Sequence, residues 1–269
     1  MKKMRIIALA AALAVAMTAL SVPVQAVSAE PLAANNENVS FFDKLIDTIA
    51  SWFKKPNDKA DDSGGSPIDF EYYQKKNPDI YAWIEIPGTD ISYPVLQNKN
   101  DKYYLKRDWQ KKKSTAGALF TESAYNGKDF SDPATVIYGH RTIKGQLFGE
   151  LQKLYSSKQG LKDYNEIIIY LPDKTMHYKV FAATPYSDVH ILHNYDFSSK
   201  RQTKLFINSV FSSRSLDANY IKDNYSSDKK GLLILSCCLQ GDNDKRFLVL
   251  AQLTKTEKSA KPENANLDK

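Results

Sequence analysis

Cysteine is scarce in this 269-residue sequence, which contains only the adjacent pair Cys237 and Cys238. Small secreted scaffolds held by disulfides need several separated cysteines, so this class of protein is excluded. Neighbouring residues of a strand point to opposite faces, and a disulfide between them would be strained because a bridge requires a larger Cα separation than one peptide unit. The sequence therefore predicts one packed cysteine and one thiol that is free to react.

A strong charge of one sign, a glycine-rich phosphate loop and a metal-spaced cluster are also missing. The net charge is +6, and three of the basic residues lie in the first 29 residues, which leaves +3 for the rest. So mild a charge does not indicate a nucleic-acid-binding protein. His190 and His193 have i, i+3 spacing, but no third or fourth ligand accompanies them. We therefore predict no metal site and no cofactor.

The N-terminal part of the chain is typical of an exported protein. Residues 1–29 have a basic start, an apolar run shorter than the roughly 20 residues that span a bilayer comfortably, and small residues that suit signal-peptidase cleavage. The segment is either a cleaved signal peptide or a retained membrane anchor. Residues 30–67 are rich in polar residues, proline and glycine, and predict a linker. Within it, residues 41–55 predict a short amphipathic helix, packed on the domain or lying at a membrane surface.

Residues 68–255 supply enough apolar and aromatic side chains for the core of one domain, and residues 256–269 are a polar tail. Short β-rich runs dominate the domain, while "GQLFGELQKLYS" and "SKRQTKLFINSVFSS" carry apolar residues on one helical face. Many strands with short connections favour a mainly β fold, a barrel or sandwich with peripheral helices. Pro94 predicts that the strand "DISYPVLQ" lies at a sheet edge.

The stretch "GLLILSCCLQGDNDKRFLVLAQL" predicts a β-hairpin with a turn rich in glycine, asparagine and aspartate. Because side chains alternate along a strand, Cys238 shares a face with Ser236, and Cys237 lies on the other. Pairing of the strands about residue 242 places Cys238 opposite Arg246. A guanidinium there would stabilise a thiolate or a developing oxyanion, and it cannot lose its proton to act as a base.

A proton carrier is the remaining requirement of such a site. His140 ends the β-rich run "PATVIYGH", and side chains presented by loops on a rigid scaffold are disproportionately catalytic. His177 lies within a predicted strand, where a histidine is usually an ordinary sheet residue. We therefore predict that His140 is the partner of the Cys238 thiol.

These residues together resemble a known family. The order "YGH", a strand ending in cysteine, and arginine on the next strand is similar to the sortases, which are bacterial cysteine transpeptidases. The stretches "NPDIYAWIEIPGTDISYPVLQ", "YYL", "AGALF" and "YGHRTIKGQLFGEL" resemble the class B branch. The resemblance spans about residues 70–253 and implies a closed β-barrel with added helices. It assigns the nucleophile to Cys238, the histidine to His140 and the arginine to Arg246.

The sequence departs from the family pattern next to the nucleophile. Thr-Leu-x-Thr-Cys is usual there, whereas this chain has "ILSCC" at residues 234–238. Ser236 and Cys237 are the predicted substrate-binding positions, and Cys237 replaces a hydroxyl that would be available for a hydrogen bond. The stretch "FTESAYN" also departs from the acidic-aromatic-basic sequence that usually follows the equivalent strand.

The resemblance implies that the thiol attacks a Thr–Xaa bond in the C-terminal sorting signal of another exported protein. An amine of a cell-wall precursor or of a pilin lysine then resolves the thioacyl-enzyme, at the extracellular face of a bacterial membrane or in the cell wall. Two alternatives stay open at this point. A secreted cysteine hydrolase would release the same intermediate to water, and a non-catalytic surface module would use both thiols to bind metal or to sense oxidation.

Overall fold

The computed structural model describes residues 66–142 and 145–259. The predicted leader at 1–29, the linker up to residue 65 with its predicted helix at 41–55, and residues 260–269 lie outside the described residues. Within the described part of the chain, no helix is both long and apolar enough to cross a membrane.

Nine strands form a single sheet within the described residues. They are β1 (Ile80–Glu85), β2 (Ser92–Leu96), β3 (Leu119–Phe120), β4 (Ala134–Tyr138), β5 (Glu166–Tyr170), β6 (Lys174–Ser187), β7 (Asn219–Tyr220), β8 (Leu232–Leu239) and β9 (Asp242–Lys258). Their order is β5-β1-β2-β3-β4-β8-β9-β6-β7, and β5 also pairs with β6. That pairing closes eight strands into a barrel, with β7 added outside on β6. The predicted mainly β fold, a closed barrel, is confirmed.

The helices in the described residues lie between the strands and are mostly short. They are α1 (Phe70–Lys76), α2 (Leu151–Leu154), α3 (Lys158–Asp163), α4 (Ile191–Asn194) and α5 (Lys200–Phe211), with 3₁₀ helices at Tyr103–Leu105 and Lys222–Asn224. The longest, α5, begins after Ser199, whose hydroxyl accepts a hydrogen bond from the Gln202 N–H as an N-cap. The helical spacing predicted a packed face of Phe206, Ile207, Val210 and Phe211. The first three are buried and Phe211 is half-buried against the same cluster.

The barrel wall separates two apolar clusters. The inner cluster takes a buried residue from each of the eight barrel strands, including Leu233 and Leu235 of β8. The outer cluster lies between α5 and the outward faces of β4, β6, β8 and β9, and includes Leu232 and Ile234. Because both faces of β8 are buried, its sequence is a continuous apolar run and not an alternating one.

Three features differ from the sequence-based predictions. β2 is not an edge strand, since β1 and β3 flank it, and Pro94 is tolerated because the ladder with β3 starts at Val95. The helix predicted over "GQLFGELQKLYS" is limited to α2, because Leu147 has a φ of 55° and the residues around it form turns. β9 also continues to Lys258, past the predicted end of the domain at residue 255.

Gly139 joins β4 to His140 at a point where the core leaves no room for a side chain. A Cβ there would come within 2.4 Å of Leu119 Cδ2 and 2.6 Å of Phe148 Cδ2. We expect Gly139→Ala to lower the free energy of unfolding by about 1–3 kcal/mol, the usual cost of overpacking, as measured by denaturant unfolding. Gly127→Ala is the control, because its nearest contact would be a side-chain oxygen at 3.3 Å. Equal losses in both variants would contradict the packing argument.

Candidate active site

The hairpin of β8 and β9 has the register that the sequence predicted. Cys238 pairs with Arg246, and Ser236 pairs with Leu248. The register then shifts between Cys238 and Leu239, so that Leu239 pairs with Asp242. Such a bulge bends the strand and ends the regular ladder directly after Cys238.

The two cysteines occupy different environments. Cys237 is 3% exposed and belongs to the inner cluster, with its Sγ 3.8 Å from the Phe247 carbonyl oxygen. Burial raises the pKa of the Cys237 thiol to about 12. Cys238 is half-buried, on the opposite face of β8. One thiol is therefore packed and one is accessible, and any contact between Cys237 and a substrate would have to come from its backbone.

β4 brings His140 to the end of β8 that carries Cys238. The two strands are parallel, Tyr138 pairs with Ser236, and the Gly139 N–H donates to the Ser236 carbonyl at 3.1 Å. Parallel strands end at the same edge of a sheet, so the residues that follow them are neighbours. His140, only two residues after Tyr138, therefore lies beside the strand that carries the thiol.

The imidazole of His140 is held in one orientation. Its Nε2 lies 2.9 Å from the carbonyl oxygen of Leu105, in the 3₁₀ helix Tyr103–Leu105. Because a carbonyl oxygen only accepts, Nε2 carries the hydrogen and Nδ1 is the nitrogen left for proton exchange. Gly117 backs the ring, since a Cβ there would come within 3.1 Å of His140 Cδ2 and 2.5 Å of the Tyr104 carbonyl oxygen.

Two guanidinium groups act on the Cys237 thiol. Arg246 lies on the face of Cys238, with Tyr186 of β6 as its neighbour across the ladder, and its Nη1 donates to the Lys245 carbonyl at 3.1 Å. Arg141 is not among the site residues predicted from the sequence, although it directly follows the predicted catalytic residue His140. Both arginines lower the pKa of Cys237, against the larger effect of burial. The positive charge near the thiols thus comes from two strand ends.

The other histidines lie elsewhere. His177 is a sheet residue in β6, as predicted, with its Nδ1 2.8 Å from Glu166 Oε1 of β5. His190 precedes α4 and contacts Glu122. Among the described residues, no group of three or more His, Cys, Asp or Glu side chains is arranged to hold a metal ion.

A cysteine on one strand pairs with an arginine on the next, and a histidine follows the parallel neighbouring strand. The family resemblance implied this arrangement. The family model of the sortase domain matches residues 84–254 of the chain. The chain belongs to the sortase family. It is most similar to the class B sortases, which confirms the family predicted from the motifs.

Similar proteins include Sortase B of Staphylococcus aureus, 28% identical over 196 residues, or 69% of this chain and 75% of that protein. Sortase B of Listeria monocytogenes is 40% identical over 80 residues, which cover 30% of this sortase and only 32% of the relative. A solved class B sortase of Streptococcus pyogenes involved in pilus biogenesis has a TM-score of 0.60 at 23% identity, covering 70% of this chain and 98% of that chain. This last likeness shows the fold.

The different environments of the two thiols predict selective alkylation of the sortase. At pH 8, iodoacetamide should label Cys238 and leave Cys237 unmodified, because burial and a pKa of about 12 keep the Cys237 thiol protonated and covered. Peptide mapping by mass spectrometry measures the labelling, and unfolding in guanidinium is the control that should expose both thiols. Equal labelling of both in the folded sortase would contradict the assignment of Cys237 to the core.

Proposed function

We propose that this sortase is a cysteine transpeptidase that cleaves a C-terminal sorting signal in exported proteins and transfers the new acyl end to an amine. Cys238 is the nucleophile, His140 the acid and base, and Arg246 the oxyanion donor. One observation supports this proposal most directly. Cys238 of β8 pairs with Arg246, and the parallel strand β4 ends next to them and is followed by His140. Membership of the sortase family supports the reaction class.

The thiolate is the reactive form of cysteine, and only a few per cent of an ordinary thiol is ionised at neutral pH. The Sγ of Cys238 attacks the carbonyl carbon of the Thr–Xaa bond, and the carbonyl oxygen becomes an oxyanion that the Arg246 guanidinium stabilises. The imidazolium of His140 gives its Nδ1 proton to the leaving amine as the C–N bond breaks. The product is a thioester between the threonine carbonyl and Cys238.

The second half of the reaction reverses these roles. An incoming amine attacks the thioester carbonyl, and Nδ1 of the now neutral His140 accepts a proton from that amine. The C–S bond breaks, Cys238 leaves as the thiolate, and a new amide joins the substrate to the amine. The Leu105 carbonyl accepts the Nε2–H bond in both halves, which holds the ring while Nδ1 exchanges protons.

The substrates in this proposal are exported proteins that carry a sorting signal. The acceptor is an amine of a peptidoglycan precursor or of a pilin lysine, and the S. pyogenes structural neighbour, involved in pilus biogenesis, supports testing both. The enzyme acts at the outer face of the bacterial membrane or in the cell wall, without a cofactor and without nucleic acid. Ser236, buried on the face of Cys238, lines the floor beneath the signal. Burial of Cys237 counts against a dithiol module, which needs both thiols accessible.

The intact mass of the full chain, after incubation with a panel of sorting-signal peptides, tests the proposal. We expect a hydroxylamine-labile adduct on Cys238 that an added amine discharges faster than water does. Faster discharge by water would identify a hydrolase. No adduct from any peptide would overturn the proposed reaction.

Substitution of each cysteine separates their roles. Cys238→Ala should abolish adduct formation, because no other accessible thiol is present at the site. Cys237→Ser should keep activity, since its side chain faces the core and a hydroxyl can still donate to the Phe247 carbonyl. Adduct formation by mass and unfolding by heat measure the two effects, and an equal loss of activity in both variants would indicate a dithiol function.

Arg246→Lys tests the oxyanion donor. We expect turnover to fall about 100- to 1,000-fold, because a point ammonium cannot reproduce the planar fork of a guanidinium. The melting temperature should change little. Lys245→Ala is the matched control, since it removes an exposed neighbouring charge that is paired with Asp242 outside the predicted site. Unchanged turnover in Arg246→Lys would remove Arg246 from the mechanism.

A further inference from the structure

A buried hydrogen-bond network lies behind the 3₁₀ helix Tyr103–Leu105, whose last carbonyl accepts from His140. Its members are Asn77, Asp79 and Tyr104, and we call it the Asn77 network. The Tyr104 hydroxyl donates to Asp79 Oδ2 at 2.7 Å and accepts from Asn77 Nδ2 at 2.8 Å. Asn77 and Asp79 lie directly before β1. The network therefore joins the start of the first barrel strand to the segment that orients the imidazole.

Asn77 is fully buried and uses both N–H groups and the oxygen of its side chain. Its Oδ1 accepts from the Asp79 N–H at 3.0 Å, and its Nδ2 donates to the Tyr104 hydroxyl and, at 2.7 Å, to the Trp109 carbonyl. Its backbone N–H donates to the Tyr73 carbonyl at the end of α1, at 2.9 Å. A buried amide with all these bonds made is held in one orientation, so Asn77 is a fixed point for the segments around it.

Asp79 is the charged member of the network. Burial has the largest single effect on its pKa and raises it, but the hydrogen bonds from Tyr104 and Asn98 and the charge of Lys111 together hold that pKa below its ordinary value. Asn98 Nδ2 lies 2.9 Å and Lys111 Nζ 3.4 Å from Asp79 Oδ2. The carboxylate is therefore ionised at neutral pH, and a hydrogen bond to a charged acceptor is stronger than one between neutral groups.

The backbone is fixed on both sides of Leu105. The Ala118 N–H donates to the Tyr104 carbonyl at 3.1 Å, and the Ser114 N–H donates to the Lys106 carbonyl at 3.0 Å. These bonds hold the peptide groups before and after the one that carries the Leu105 carbonyl. The direction of that carbonyl therefore depends on the position of the whole segment.

The side chain of Tyr104 sets the position of this segment. Tyr104 is 1% exposed and lies in an apolar cluster with Ile80, Leu96 and Phe120. Burial raises the pKa of the phenol, so the hydroxyl stays a neutral donor to Asp79. The packing fixes the ring and the hydroxyl fixes its depth, so the 3₁₀ helix has one position relative to β1.

The 3₁₀ helix is in close contact with the imidazole. His140 Nε2 donates to the Leu105 carbonyl at 2.9 Å. A Cβ at Gly117 would lie 3.0 Å from the Leu105 carbonyl oxygen and 3.1 Å from His140 Cδ2, so the glycine backbone packs against both groups. Because close-packed atoms transmit displacements, a shift of the helix would change the orientation of the ring.

We propose that Tyr104, held by Asn77 and Asp79, is a positioning residue for His140. It sets the Leu105 carbonyl that accepts from Nε2, and it thereby keeps Nδ1 directed at the leaving amine. Tyr104 is too buried to touch the substrate, so it acts through the histidine. The proposal rests on the proposed function, because it concerns the proton that His140 gives to the leaving group.

Tyr104→Phe removes the hydroxyl and keeps the ring, and two signal peptides of the same sequence reveal its effect. One peptide has the ordinary scissile amide, and in the other a thioester replaces that amide. An amine needs a proton from His140 to leave, whereas a thiolate leaves without one. In full-length Tyr104→Phe, we expect kcat/KM for the amide to fall about tenfold or more relative to kcat/KM for the thioester peptide. Chromatography of the released C-terminal fragment measures both.

Tyr155→Phe is the matched control. Tyr155 is also fully buried, and its hydroxyl donates to the Tyr164 carbonyl at 2.9 Å, a bond outside the Asn77 network. Both variants should lose a similar amount of thermal stability, but the amide-to-thioester ratio of Tyr155→Phe should match that of the wild type. Asp79→Ala should lower the ratio as Tyr104→Phe does. Asp79→Asn should lower it less, because an amide oxygen can still accept from the Tyr104 hydroxyl.

The imidazole gives a second measurement that does not depend on turnover. At alkaline pH, nitrogen-15 NMR of sortase labelled at histidine should show the neutral His140 ring with its hydrogen on Nε2. Tyr104→Phe should show a mixture of the two tautomers, because the Leu105 carbonyl no longer holds one of them, and Tyr155→Phe should not. Comparison with the spectrum of His140→Gln assigns the signals.

The outcomes separate this inference from the reaction itself. If the wild type forms the thioacyl-enzyme but Tyr104→Phe slows both peptides equally, Tyr104 has only a structural role and the inference is overturned. A wild-type ratio in Asp79→Ala, or an equal fall of the ratio in Tyr155→Phe, would also overturn it. No thioacyl-enzyme on Cys238 from any amide peptide would overturn the proposed function, and this inference with it.

Discussion

The alternation of side chains along β8 is the constraint on which the candidate site depends. It sends Cys237 into the barrel and Cys238 outwards, although the two are adjacent in sequence. The Cys237 thiol is buried and keeps its proton, while Cys238 pairs with Arg246 across the hairpin. A shift of one residue in register would exchange these roles, and the packing of Leu233 and Leu235 inside and Ile234 outside opposes such a shift.

Closure of the barrel brings the remaining parts of the site together from distant parts of the sequence. β4 and β8 are parallel neighbours although nearly a hundred residues separate His140 from Cys238. The 3₁₀ helix at Tyr103–Leu105 then supplies the carbonyl that orients the histidine ring. Cys238 and Arg246 lie on strands, and His140 follows the end of β4 by two residues, so little of the geometry depends on long loops.

The parts of the structure that follow from local pattern were predictable. The hairpin register about residue 242, the apolar face of α5 and the separation of the two cysteines all come from short-range periodicity. The interior position of β2 was not predictable. Pro94 shows that one backbone N–H donor is missing from the strand, but it does not show where the pairing with the neighbouring strand begins. The contact between Glu122 and His190 was also not predictable from the sequence, because it joins the turn after β3 to the segment before α4 and only the fold determines it. The roles assigned to Cys238, His140 and Arg246 came from the family resemblance together with the predicted pairing of Cys238 with Arg246 across the hairpin.

The pairing of β5 with β6 also bears on how such a protein avoids unwanted association. An open sheet offers a row of backbone donors and acceptors to which an unrelated extended chain can add as a further strand. In the described residues, closure gives each of the eight barrel strands two neighbours, and the strand outside the ring, β7, is only two residues long. The described part of this sortase therefore presents little unpaired strand backbone for nonspecific strand addition.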